Sequence, residues 1–311
     1  MGPAMTACST RSSRLDTEVA GVGLAVIGAV SFGTLGIFAK FGYEAGARPF
    51  SLLATRFTIA TAILLVYLVA ARAPVFVGRR TMVRLLLLGG LGYGLEASLF
   101  FLALERAPVG IVSLIFYSFP LWTYLFGWMT RLEPFHGRVV FALILGTVGV
   151  ASIFTVDVGG LLGPLLALAA AISVAIYLLL AQVVLRDVSP SASALWTGAG
   201  AAITVGTVAL MTRQPLPLEA MGPAAALGAA TAFSFVLLFA AIARIGSARA
   251  AIANMVEPIT TVALAALLLD EEITLRIAVG AVLVISALPI LVTTTKAPKR
   301  SSDDHAAIHA T

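Results

Sequence analysis

Ten apolar stretches divide this 311-residue chain, and their length constrains it more than any motif does. A bilayer core of about 30 Å is crossed by about 20 apolar residues in a helix. The stretches run 19–39, 50–70, 83–104, 109–130, 139–154, 161–182, 192–211, 222–243, 250–269 and 277–293, the fifth being short. Only 11% of residues are charged and 60% are hydrophobic; soluble domains carry about 25% charged residues. The expected fold is therefore all-α and integral to the membrane, with ten transmembrane helices. Short connections leave no room for an inserted soluble domain. The opening MGPAMTACSTRSSRLDTEVA is polar and is read as a tail, without a cleavable leader before the first apolar run. A single cysteine, Cys8, excludes an internal disulfide.

Within these stretches the sequence repeats. Glu257 to Arg276, EPITTVALAALLLDEEITLR, matches Phe119 to Arg138, FPLWTYLFGWMTRLEPFHGR, at an offset of 138. Pro120 falls on Pro258, Thr123 on Thr261, Glu133 on Glu271 and Arg138 on Arg276, and upstream Phe101 meets Phe239 and Arg106 meets Arg244. The expected organisation is a tail over 1–18, a first five-helix repeat over 19–154, a second over 159–294, and a disordered tail over 295–311. Five is odd, so the second copy enters the membrane upside down relative to the first. Inverted repeats of this kind give two nearly equivalent conformations, one open to each side, which is the geometry of alternating access in secondary transporters. Duplication for assembly alone is the competing reading.

Orientation follows from the basic residues. With both tails in the cytoplasm, 14 of the 20 lysines and arginines lie inside, five lie outside, and Arg56 lies within a span. The same distribution accounts for the pI of 9.7 without nucleic acid as a partner, since the arginines are scattered over many short loops.

The "LATRF" opening of the second span, "FLALERAP" before the fourth and "EPITTVALAALLLDEEIT" in the ninth resemble the EamA family of the drug/metabolite transporter superfamily, over about residues 20–294. The resemblance implies ten helices in the inner membrane and export of amino acids or other small metabolites. One departure is that Phe119 stands where the second repeat has Glu257, so the halves offer unequal chemistry at the proline.

Ionisable side chains deep in spans are costly and face a cavity or a partner. Three qualify: Arg56, Glu96 and Glu257. Pro258 should kink its helix against the carbonyl of Asn254, baring polar backbone beside Glu257, and Pro120 should do the same in the fourth span. Glu257 with Asn254 suits an ammonium group or a proton; the alternative is that they only satisfy the loosened helix. Glu96, behind Gly89, Gly90, Gly92 and Gly94, is a second cavity carboxylate able to release a proton, or else an ion-pair partner of Arg56. Arg56 meets a substrate carboxylate or snorkels to the interface. Tyr117 and Trp122, among the span-four aromatics with Tyr124 and Trp128, offer an apolar wall or simple packing; Tyr93 and Tyr177 add polar handles. Glu133 and Glu271 end the fourth and ninth helices, with joining helix ends as their expected role and gating as the alternative.

His305 and His309 in the tail make a poor metal site, and no nucleotide-binding pattern appears. No metal or cofactor is therefore expected, and a gradient or exchange supplies the energy. The expected function is export of small organic solutes, amino acids or related metabolites, possible coupling to protons included. Its alternatives are an uncoupled facilitator or exchanger, a membrane scaffold or receptor, and a membrane-embedded enzyme. The expected partners are a small-molecule substrate and the lipid bilayer, with protons if transport is coupled to them.

Overall fold

The computed structural model describes residues 3–104, 106–107, 109–153, 160–185, 188–269 and 274–292, with side chains from Asp16 onward. Glu271, Arg186, His305, His309 and the expected tail over 295–311 lie outside the described residues. Every regular element among those described is helical. Eight helical segments are long and apolar enough to cross a bilayer: Asp16–Glu44, Pro49–Ala70, Arg79–Ala103, Ile111–Met129, Leu162–Val184, Pro190–Met211, Leu218–Ile245 and Ser247–Leu268. Two more, Gly137–Ile153 and Leu275–Leu291, are apolar but shorter. At about 1.5 Å per residue, the 17 residues of Gly137–Ile153 reach about 25 Å, a little less than the hydrocarbon core. Large apolar side chains such as Val66, Ile203, Leu210 and Leu267 stand exposed on the outside, as lipid contact requires and water would not favour.

Several segments are interrupted, and each interruption has a local cause. The first consists of α1 (Pro3–Gly33) and α2 (Leu35–Glu44), broken at Thr34, whose hydroxyl turns back to the Ser31 carbonyl. α3 (Pro49–Ala70) is continuous. In the third, α4 (Arg79–Leu87) and α5 (Leu95–Leu104) flank a wide π-helical stretch, Leu88–Gly94. The fourth splits into α6 (Val109–Phe116) and α7 (Phe119–Met129). The ninth splits into α12 (Ser247–Ala253) and α13 (Val256–Leu269). Both splits fall just before the repeated prolines. Pro120 and Pro258 then sit in the first turn of the new helix, where a missing N–H is no loss. Between them come α8 (Gly137–Ile153), α9 (Leu162–Val184), α10 (Pro190–Met211) and α11 (Met221–Ile245), and α14 (Leu275–Val292) follows.

The helices pack in related sets. α3 lies on α10, and α8 on α14; α1 packs on α11 while α5 packs on α9. α3 also meets α11 as the π-helical stretch meets α10, and α1 meets α13 as α9 meets α7. Small residues permit the closest crossings. A β-carbon on Gly89 would lie 1.9 Å from the Thr197 carbonyl oxygen, and one on Gly200 would lie 2.1 Å from that of Leu86. α8 and α14 touch in the same backbone-to-backbone way at Gly149 and Gly280.

Contacts between helix ends fall into two sets. One joins Glu18 to Arg249, Gly21 to Ile245, Gln182 to Ser247, Glu133 to Gly246, and Trp196 to the Val75 carbonyl. The other joins Phe50 to Gln214, Gly46 to Pro217, Ala107 to Gly163, and Ser152 to the Arg276 carbonyl.

Candidate substrate and coupling site

Arg56 sits on α3, seven positions after the Pro49 that starts the helix, and is only 8% exposed. Its Nε donates to Thr231 Oγ1 on α11 at 2.6 Å, and its Nη2 donates to the Tyr93 hydroxyl at 3.2 Å. The Thr231 hydroxyl in turn donates to the Leu227 carbonyl, leaving its lone pairs for the guanidinium. The guanidinium carbon lies 5.0 Å from the centre of the neighbouring Phe57 ring, within cation–π reach. Arg56 is thus drawn into the bundle and does not snorkel.

Tyr93 belongs to the π-helical stretch, and Glu96 opens the α-helix that follows. The glycines of LGGLGYG let this segment lie directly on α10 and on the Tyr177 ring. Glu96 is 6% exposed. Among the described residues its carboxyl makes no hydrogen bond and no ion pair, so the pairing with Arg56 considered from the sequence is not formed. Yet Arg56, Glu96, Glu257 and Tyr93 lie within electrostatic reach of one another. The cluster therefore contains one buried cation and two carboxylates, none of them directly paired.

Glu257 lies in the first turn of α13. Its carboxylate accepts from the Asn254 amide at 2.9 Å and from the Tyr117 hydroxyl. Tyr117 occupies the break of the fourth span and Asn254 that of the ninth, so the two interruptions meet across Glu257. The Asn254 carbonyl is taken up by the Glu257 N–H at 3.0 Å, which closes the turn that Pro258 opens. Asn254 Oδ1 is buried without a donor among the described residues. On the far side, the Thr261 hydroxyl lies 3.1 Å from the carbonyl oxygens of both Gly33 and Glu257, tying the break in the first span to the ninth.

Tyr177, 1% exposed, has a hydroxyl with no partner among the described residues. Its ring packs on Tyr93 at 5.5 Å and on Phe239 at 6.4 Å. Trp122 donates to Ser118 at 3.1 Å and stacks on Phe126 along α7; no hydrogen bond or ring contact among the described residues brings it to Arg56, Glu96 or Glu257. Tyr124 accepts from the His136 N–H at 2.8 Å and holds the following loop. Trp128 packs on Phe135 at the exposed end of its helix.

The aromatic wall comes instead from other spans: Phe57 and Phe235 pack on Tyr93, Phe239 packs on Tyr177, and Phe32 lies behind Phe235. Sequence reasoning missed Thr231, Phe57, Phe235 and Phe32. One signal was available for Thr231: it stands 138 positions after Tyr93, at the offset of the repeat.

An all-helical bundle of membrane-crossing segments around a buried polar cluster defines a multi-pass membrane protein. The chain belongs to the EamA-like transporter family, whose profile matches it twice, over residues 19–155 and 161–293. A solved structure titled "Crystal structure of protein" shares the fold with a TM-score of 0.75 at 18% identity, covering 87% of this chain and 96% of that one. None of the curated proteins matches.

Proposed function

We propose that the chain is a secondary transporter that exports amino acids or closely related zwitterions by alternating access, in exchange for protons. The observation that carries this reading is that Arg56 and Glu96 are both buried in one cluster and do not pair. Isolated charges at this depth cost several kcal/mol each. A ligand bearing both a carboxylate and an ammonium group would neutralise the two at once. One guanidinium against two carboxylates leaves a single excess negative charge. A proton on Glu96 or Glu257 removes it when the site is empty; the substrate is net neutral, and its ammonium group competes with that proton for a carboxylate while its own carboxylate takes up the Arg56 guanidinium. Glu257, at the junction of the two broken helices, is then the group through which occupancy reaches the helices that move.

The alternating-access part rests on ten spans in two inverted repeats, with both termini in the cytoplasm and the protein in the inner membrane. The paired helix contacts support this, since exchanging each helix of one half for its counterpart in the other turns α1 on α11 into α9 on α5, α3 on α11 into α10 on the π-helical stretch, and α1 on α13 into α9 on α7. The two sets of helix-end contacts support it as well. Each joins loops that a strictly alternating path with cytoplasmic tails would bring to one face.

Reconstitution into liposomes with a panel of labelled amino acids tests the reading. Transport driven by an imposed pH gradient, lost in Glu96→Gln and Glu257→Gln proteins that remain folded, is the expected result. Transport of the same solutes indifferent to the gradient and to both substitutions would leave an uncoupled exchanger. Transport of none of them would remove the substrate assignment.

A further inference from the structure

Glu133 is a buried carboxylate that the central site does not use. It lies in the turn between α7 and α8, outside the membrane-spanning segments. Its side chain reaches the α11–α12 junction, where it faces the Gln182 amide and the Ala248 N–H. Gln182, near the end of α9, completes the link with its own Oε1, which accepts from the Ser247 N–H at 2.5 Å. Glu133 Oε1 is buried without a donor among the described residues and faces Gly246. A β-carbon on Gly246 would come within 2.5 Å of that oxygen, and this glycine also holds φ of +82°. Next to it, Arg249 on α12 pairs with Glu18 at the start of the first span, 3.9 Å away. The turn itself is anchored by Glu133 N–H to the Gly127 carbonyl at 3.0 Å and by Tyr124 to His136. Helices from both repeats are thus fastened together at one end of the bundle through a single carboxylate.

We propose that Glu133 is the latch of the tail-side gate, holding the α7–α8 turn of the first repeat against the α11–α12 junction of the second. Opening on this side must part Glu133 from Gln182 and Ala248. As a gating role, the inference rests on the alternating-access reading above. The charged groups facing the carboxylate are Arg249 on α12 and His136 on its own turn, with Glu18 acting through Arg249; the contact from α9 is the neutral Gln182.

Closure is linked to protons by the burial of the group. Burial pushes the Glu133 carboxyl up from its ordinary 4.5, against the opposing pull of Arg249, Gln182 and Ala248. When the gate opens, water reaches the carboxyl and returns it towards that ordinary value. The closed form therefore binds the proton more tightly, and the unpartnered Oε1 is where it is held. Protonation favours closure fully below 4.5, and the advantage disappears as pH rises through the raised value.

The test uses the full chain with Cys8→Ser and a reporter cysteine at Ala251, a fully buried position on α12 one turn beyond Ala248. A membrane-impermeant maleimide is applied to inverted membrane vesicles, with rates normalised to unfolded protein at the same pH. In the otherwise native chain, labelling should be slow at low pH and quicken as pH rises. Glu133→Ala should label about tenfold faster than the native chain at low pH, the scale of losing one or two hydrogen bonds to a neutral carboxyl. Glu133→Gln, which imitates the protonated form, should stay slow at every pH. Unchanged labelling in a folded Glu133→Ala protein overturns the proposal, and so does a native pH response in Glu133→Gln. The second arm decides alone if the alanine variant does not fold. Labelling needs no substrate, so a failure of transport in liposomes bears on the transporter reading and leaves the latch to be judged by its own measurement.

Discussion

Thr231→Val tests the geometry of the polar cluster with the least disturbance. The two side chains are nearly the same shape, so packing against Leu227 and α3 is kept while the one acceptor for Arg56 Nε among the described residues is lost. The bond is short, 2.6 Å, and buried. Two scales bear on its worth. Hydrogen bonds to charged groups contribute about 1.5–3 kcal/mol, and orphaning a buried donor adds to that. Polar contacts between membrane helices measured by double-mutant cycles average about 0.6 and reach about 1.7 kcal/mol. Arg56 keeps Tyr93 and the Phe57 ring after the change, which places the expected effect near 1.5 kcal/mol, about tenfold in kcat/KM. Initial uptake rates in proteoliposomes measure it, with Thr231→Ser as the control that restores the hydroxyl. Tyr93→Phe removes the longer 3.2 Å bond and should cost less on its own. Because both groups hold one guanidinium, the double variant should lose more than the sum of the two singles. If Thr231→Val transports within twofold of Thr231→Ser, the guanidinium is not positioned by Thr231 and the reasoning fails.

Gly89→Ala should lower the melting temperature in detergent sharply, because its β-carbon would collide with backbone and no rotamer can relieve that; overpacking of this kind costs about 1–3 kcal/mol or more. Gly23→Ala and Gly206→Ala, where an added β-carbon meets nothing within 4 Å, should leave it unchanged, and equal losses at all three sites would refute the packing argument. Gly246→Ala combines an unfavourable positive φ with a push against Glu133, so accessibility at position 251 should rise as in Glu133→Ala; unaltered labelling would separate Gly246 from the latch. Single cysteines in place of Arg106 and Arg244 should react with an impermeant reagent from opposite sides of the membrane, and labelling from one side only would break the inverted topology. Trp122→Phe should transport like the native protein, since among the described residues Trp122 makes no hydrogen bond or ring contact with Arg56, Glu96 or Glu257, and a loss approaching that of Glu257→Gln would return it to the site.

Much of the architecture is readable before any coordinates, for a physical reason. Lipid forces each span to satisfy its own backbone, so apolar length alone marks the helices, and the recurring Pro120 and Pro258 mark where two of them break. Other features depend on contacts between distant segments, and no local pattern announces them. The break at Thr34 is tied to Thr261, 227 positions away in the chain. The π-helical turn at Leu88–Gly94 follows from glycines meeting the α10 backbone. Aromatic residues of the fourth span drew attention by their number, yet Tyr124 and Trp128 serve the turn that carries Glu133. The rings around Tyr93 come one or two apiece from separate helices, and so form no visible stripe.

The central chemistry sits where the two repeats have diverged. Glu257 stands at the position of Phe119, Glu96 at the position of Ser234, and Tyr93 at the position of Thr231. Arg56 binds the last two together, one from each repeat, as a residue near the pseudo-two-fold axis of the proposed arrangement would. A perfectly duplicated bundle would carry each carboxylate twice or not at all, and so could not set Glu96 and Glu257 singly beside one guanidinium. Divergence at these positions, and at Arg56, which falls on Ala194, leaves one cation and two carboxylates, a charge that one proton completes. The same asymmetry makes Arg56 sensitive to any sliding of one half against the other, because its two partners are anchored in different halves. Exchange of Thr231 and Tyr93 between the two positions therefore offers a direct test: if partner identity and not merely hydrogen bonding sets the working geometry, Tyr93→Thr with Thr231→Tyr should fold but transport poorly. Native rates in that double variant would show that Arg56 needs only two polar partners, whichever half supplies them.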